Sequence, residues 1–147
     1  DHPAVECKRI PMKTVCIMSE GNTLGKKKFI TPEDLVNEPM IHSRRDSAFY
    51  RKLEEVFTLH KVKINSWIET RQFNSACMLV AEGRGISIVS EMDAREYESR
   101  GLIIKPFTPV IPHTLMLVRP KHTVLSTIAL EFLDFFENSL EPFRLKS

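Results

Sequence analysis

Apolar and polar positions along this chain follow two rhythms. Short apolar bursts occur at Val15–Met18, Met40–His42, Ile86–Val89, Leu102–Ile104 and Leu115–Val118, and a partial alternation surrounds Trp67 from Ile64 to Glu69. Runs this short predict half-buried or buried strands. Between them apolar residues recur three and four apart. Phe49, Leu53, Phe57 and His60 mark one helix face, Phe73, Cys77, Val80 and Ala81 a second, and Ile128, Phe132, Phe135 and Phe136 a last one near the C-terminus. Met92 to Glu98 predicts a further short helix stopped by Gly101, as Gly83 stops the one before it. "TPEDL" has a helix-start pattern: Thr31 as N-cap, Pro32 at the first position and acids in the first turn.

Strand and helix in alternation predict an α/β fold whose sheet is mixed, mostly parallel and flanked by helices. "PFTPVIPH", from Pro106 to His113, carries three prolines between two strands. It suits an extended crossover between lobes or, equally, an ordinary rigid loop. The segment Val5–Met18 reads as strand at once, with no opening helix. If the C-terminal helix packs on a second lobe, most of that lobe lies outside the sequence, so the chain is expected to be a piece of something longer.

Composition narrows the function classes. At 147 residues the chain has the size of one ordinary domain, and its 27% charged residues are normal. A net charge of +2 predicts neither a nucleic-acid footprint nor a membrane-binding surface. No apolar run approaches the roughly 20 residues that cross a bilayer. The cysteines, Cys7, Cys16 and Cys77, are odd in number and fit no metal motif, so free thiols in a reducing cytoplasm are expected. The five histidines are scattered and predict no metal site, and nothing calls for a cofactor. There is no Gly-rich phosphate loop, no G-x-S-x-G elbow and no CxxC; "EGRGIS" is explained by a helix stop at Gly83 and a tight turn at Gly85. No nucleophile or base stands out, so no enzyme is expected.

The candidate chemistry sits at two helix starts. In a parallel sheet, a helix that follows a strand begins near the strand's carboxyl edge. Met40–His42 feeds the helix starting near Ser47, and the strand ending at Glu69 feeds the one starting near Phe73 or Asn74. Both N-termini therefore face one edge, each with free N–H groups and about half a positive charge that favour an anion. Ser43, Ser47, Thr70, Gln72 and Asn74 add donors, and Arg44, Arg45 and Arg71 offer full positive charge. Asp46 and Glu69 are candidate acceptors for an ammonium group. The set suits a small zwitterion such as an amino acid. The plainer account is that Ser43, Asp46 or Ser47 merely caps a helix and the arginines are solvated.

"ITPEDLVNEPMI", "SRRDSAFYRKLEEVF", "IETRQFNSACMLVAEGRGISIVSEMDAREYESRGLIIKPF" and "PHTLMLVRPKHTVLSTIALEF" together resemble the effector-binding domain of LysR-type transcriptional regulators. The resemblance runs from about Val5 to Phe136. Ser43-Arg44 with Asp46-Ser47, Glu69-Thr70 and Ala76-Cys77 look most like the branch of the lysine-biosynthesis activator and the opine-responsive regulators. "GNTLG", Gly21 to Gly25, departs from the family's usual "GHPLA". The resemblance implies a fold like type 2 periplasmic binding proteins, with an effector in the cleft between two lobes. It assigns residues 1–14 to the end of the first lobe and a first hinge strand, 15–109 to the second, regulatory lobe, and 110–147 to a second hinge and the last strand and helix of the first lobe. It implies effector contacts from Ser43 to Ser47 (with Arg45 and Asp46), from Thr70 to Asn74, and from the crossover at Ile111. It also implies a homodimer or homotetramer in the cytoplasm. DNA would be bound only through an N-terminal winged helix absent here. A solute-binding protein of a transport system shares this fold and remains the alternative.

Overall fold

A computed structural model describes residues 4–146 of the protein. The strands are β1 (Val5–Met12), β2 (Thr14–Ser19), β3 (Met40–Ser43), β4 (Ser66–Thr70), β5 (Ser87–Ser90), β6 (Leu102–Pro106) and β7 (His113–Pro120). The helices are α1 (Ala48–Leu59), α2 (Phe73–Ala81), α3 (Glu91–Arg95) and α4 (Thr127–Ser139). They fall into two compact units: residues 13–113, and residues 4–12 with 114–146. Residues 1–3 and 147, which open and close the expected lobe segments, lie outside the described residues.

The larger unit is built around β2. Its side chains alternate between two faces, and both faces are covered, so its middle, Val15–Met18, is apolar throughout. Cys16 and Met18 join Leu53 and Phe57 of α1 in one buried cluster. Val15 and Ile17 join Ala76, Cys77 and Val80 of α2, with Ala94 of α3, in the other. β5, β2 and β6 form a three-stranded antiparallel sheet with β2 at its centre. The parallel part is the β3–β4 ladder, tied to the approach of β5 by the parallel bridge Met40–Ile86. At that bridge the Ile41 N–H donates to Ile86 O at 2.8 Å and the Ile86 N–H to Pro39 O at 2.9 Å.

Local structure departs from expectation in three places. The expected strand from Val5 to Met18 breaks at Lys13 into β1 and β2. "TPEDL" forms a single 3-10 turn, Pro32–Leu35, rather than an α-helix. The Asp34 carboxylate turns back to accept from the Thr31 N–H at 3.0 Å and completes the motif within one turn. The helix expected at Met92–Glu98 is α3 followed by a 3-10 turn, Glu98–Arg100, and Gly101 ends it at φ 81°.

The smaller unit pairs β1 with β7 and carries α4. Arg119 is paired with Glu6 at 2.7 Å, and Lys8 with Glu137. The apolar positions that predicted α4 are right for a helix, yet Ile128, Phe132 and Phe135 are exposed. Two strands offer too little surface to cover that face.

Candidate functional site

Strand pairing brings the two polar turns together. In the β3–β4 ladder Ser43 stands opposite Thr70. Parallel neighbours run roughly 4.8 Å apart, so the chain leaves both strands side by side. Beneath the turns, His42 is buried and locks the ladder. Its Nδ1 lies 2.7 Å from the Ser43 carbonyl and its Nε2 2.7 Å from Ser66 Oγ. A carbonyl only accepts, so Nδ1 carries the proton of that bond, and Nε2 shares a second bond with the Ser66 hydroxyl.

From β3 the chain turns through Arg44–Asp46 into α1. The Ser47 N–H donates to the Arg44 carbonyl at 2.9 Å, and Ser47 Oγ accepts from the Tyr50 N–H at 3.1 Å as the helix cap. Ser43 and Ser47 share a hydroxyl–hydroxyl bond of 3.2 Å. From β4 the chain turns through Arg71 and Gln72 into α2. Gln72 is the N-cap, and its side chain makes no capping bond. Asn74 Oδ1 accepts from the Ser75 N–H at 2.8 Å, and the amides before it at the start of α2 keep donor capacity for something other than the protein.

Ser43, Ser47, Phe49, Arg71, Gln72, Phe73, Asn74, Asp93 and His113 line one open cavity of about 460 Å³ within the larger unit. That volume lies inside the range of roughly 300–1,000 Å³ typical of small-molecule sites. One wall is aromatic. The rings of Phe49, Phe73 and His113 meet edge to face, with centroids 5.0 Å apart for the two phenylalanines and 5.9 and 5.2 Å from each to the histidine. Opposite charges share the rim: among the described residues neither Arg71 nor Asp93 forms an ion pair. Burial, with the negative Glu96 adding to it, raises the Asp93 carboxyl above its ordinary range. Burial lowers the His113 imidazole below its ordinary value, and Asp93 opposes that shift.

Of the residues expected to contact an effector, Ser43, Ser47, Gln72 and Asn74 come together here. The others do not. Arg45 is exposed and outside the cavity. Asp46 is exposed and engaged by Arg44, an acid and base neutralising each other within one loop. The Thr70 hydroxyl donates to the Gln72 carbonyl at 3.2 Å within the turn, and Thr70 is not in the cavity lining. Ile111 is fully buried in the α1-side core, and its carbonyl accepts from the Thr14 hydroxyl at 2.9 Å. Glu69, the other expected ammonium acceptor, is exposed and does not line the cavity.

Asp93 and His113 were not foreseen as cavity residues. For Asp93 the placement follows from tertiary pairing. The Met40–Ile86 bridge makes β5 run parallel to β3, so the rule that placed Ser47 and Phe73 at one sheet edge also brings the start of α3 there. No comparable rule reaches His113.

Three cysteines are free thiols, and among the described residues no cluster of His, Cys, Asp and Glu is suited to a metal ion. No described helix is long and apolar enough to cross a membrane.

Comparison with known proteins adds the family. The profile of the LysR substrate binding domain matches residues 1–141. The chain is 33% identical over 131 residues to the transcriptional activator protein LysR of Escherichia coli, covering 89% of this chain and 42% of that protein. It therefore spans less than half the length of that relative. Among solved structures, the effector binding domain of QuiR in complex with shikimate superposes with a TM-score of 0.68 at 18% identity, covering 92% of this chain and 65% of that one. The regulatory domain of Synechocystis CcmR in complex with 2-PG gives 0.68 at 19% identity, covering 96% and 71%. At such identities these likenesses speak to the fold.

Proposed function

The chain belongs to the LysR substrate binding domain family, and from that premise we propose that it is the effector-sensing part of a cytoplasmic transcriptional regulator. Its effector is a small charged metabolite, amino-acid-like, taken up at the cavity between the Ser43–Ser47 and Arg71–Asn74 turns. The relatives are regulators rather than enzymes, and solved neighbours hold shikimate and 2-PG. One observation carries the reading: adjacent parallel strands end at Ser43 and Thr70, and the turns that follow line one cavity together with Arg71 and Asp93, neither of which forms a salt bridge among the described residues.

The chemistry follows from the lining. Arg71 and the start of α2 attract a carboxylate. Ser43, Ser47, Gln72 and Asn74 supply neutral hydrogen bonds that fix its orientation. The aromatic wall takes the apolar part of the ligand. Signalling needs no reaction, only a difference in effector affinity between two arrangements of the regulator, a homodimer or homotetramer that meets DNA through a separate domain.

Thermal shift and calorimetry on the protein with the twenty amino acids, shikimate, 2-PG and simple dicarboxylates test this. A true effector at a hundred times its Kd stabilises the fold by about 2.7 kcal/mol. Absence of stabilisation by every compound would refute an effector site in this cavity.

A further inference from the structure

We propose that Asp93 is the specificity-determining residue of this cavity: it holds a cationic nitrogen of the effector and so selects amino-bearing acids over acids that lack nitrogen. The inference rests on the effector reading above and narrows it to a chemical class. Three observations converge on it. Asp93 lines the same cavity as Arg71. It is half-buried, and among the described residues no lysine or arginine pairs with it. His113 lines the cavity with it, and burial, which lowers the imidazole pKa, works against a permanent positive charge there even as Asp93 favours one.

A carboxylate with the Ser90 hydroxyl beside it but, among the described residues, no lysine or arginine partner has a definite consequence on the wall of an otherwise donor-rich site. It repels a second anion and costs desolvation unless a cation arrives with the ligand. A ligand with carboxylate and ammonium groups satisfies both poles, the carboxylate at Arg71 and the start of α2, the ammonium at Asp93. The rings of Phe49, Phe73 and His113 present an aromatic wall to the methylenes or to the cation itself. A nitrogen-free acid leaves Asp93 uncompensated. The two acids first expected to accept an ammonium group, Asp46 and Glu69, are not in the lining, so the role falls to Asp93 alone.

The test is a change of preference. Calorimetry measures the best-binding amino acid and the best-binding nitrogen-free acid of the panel on the wild-type protein, Asp93→Asn, Asp93→Glu and Arg71→Gln. Asp93→Asn is expected to weaken the amino acid at least tenfold and to leave the nitrogen-free acid unchanged or tighter. Asp93→Glu is expected to restore part of the loss, and Arg71→Gln to weaken both ligands. Equal weakening of both by Asp93→Asn would mean that Asp93 only supports the fold and would overturn the proposal; so would undiminished amino-acid binding. A wild-type protein that takes only nitrogen-free acids would also sink it while leaving the effector reading intact. Binding of neither class would remove both.

Discussion

Ser43 and Ser47 are bonded to each other, yet they carry different burdens, and replacing each separates folding from recognition. Ser47 Oγ accepts from the Tyr50 N–H and caps α1, which packs Leu53 and Phe57 into the core. Ser43 is not the cap; its hydroxyl bonds Ser47 at 3.2 Å and lines the cavity. Losing an N-cap serine to alanine costs about 1 kcal/mol, and to glycine only a few tenths. Ser47→Ala is therefore expected to lower stability by about 1 kcal/mol and the melting temperature by about 2–4 °C for a chain near 150 residues. Ser47→Gly should keep most of that stability. Ser43→Ala should stay within about 0.5 kcal/mol of wild type, as for substitutions that break no buried contact. A neutral hydrogen bond to ligand is worth about 0.5–1.5 kcal/mol, a loss of roughly 2- to 12-fold in affinity. All three variants should show that loss. Urea unfolding followed by circular dichroism gives the first quantity and calorimetry with an effector from the panel the second. Equal destabilisation by Ser43→Ala and Ser47→Ala, or a Ser47→Gly variant as unstable as Ser47→Ala, would refute the division of roles.

Three further outcomes follow from the packing. Gly85 sits at φ 151°, and an added Cβ would overlap the Pro39 carbonyl that accepts from Ile86, so Gly85→Ala should cost about 1–3 kcal/mol in urea unfolding; an unchanged midpoint would contradict this. The Cys16 thiol is fully buried and pushed far up, the Cys77 thiol is buried and pushed up to about 12, and Cys7 is only half-buried. A thiol reagent at pH 8 should therefore titrate one group in the folded chain and three in urea, and two fast thiols in the native state would be inconsistent. Because the folded state raises the Asp93 carboxyl above its ordinary 3.8, that group adds stability below pH 3.8 and loses it as pH rises through the folded value. Asp93→Asn should accordingly make the unliganded protein more stable at pH 7 and confer no gain at pH 3.5. A variant less stable at pH 7 would reverse the sign and the argument.

Sequence pattern carried the local structure well because it is written in local terms. The Phe49, Leu53, Phe57 spacing and Ser47 mark α1 within a residue, and Phe73 to Gly83 mark α2 and its end. The meeting of the two turns was also readable, since it needs only the rule that helices start at the carboxyl edge of parallel strands. What the pattern could not supply is which way a polar side chain turns once it arrives. Asp46 is spent on Arg44 and Thr70 on the Gln72 carbonyl, choices made by contacts a few ångströms away. Phe49 and Phe73 read as core residues from their spacing, yet with His113 they form the wall of the cavity. Asp93 and His113 lie 50 and 70 residues from Ser43 in sequence, and only tertiary pairing through β5 and the loop before β7 brings them to it. Nor does periodicity report coverage: α4 is helical as its pattern requires, but its apolar face stays open.

The most direct measurement is a two-dimensional amide spectrum of the isotopically labelled chain, titrated with the amino acid that stabilises it most. The account requires shifts that saturate together at Ser43, Ser47, Phe73, Asn74, Asp93 and His113, with little change in α4. Shifts confined to one of the two turns, or gathered elsewhere while these amides stay still, would contradict it.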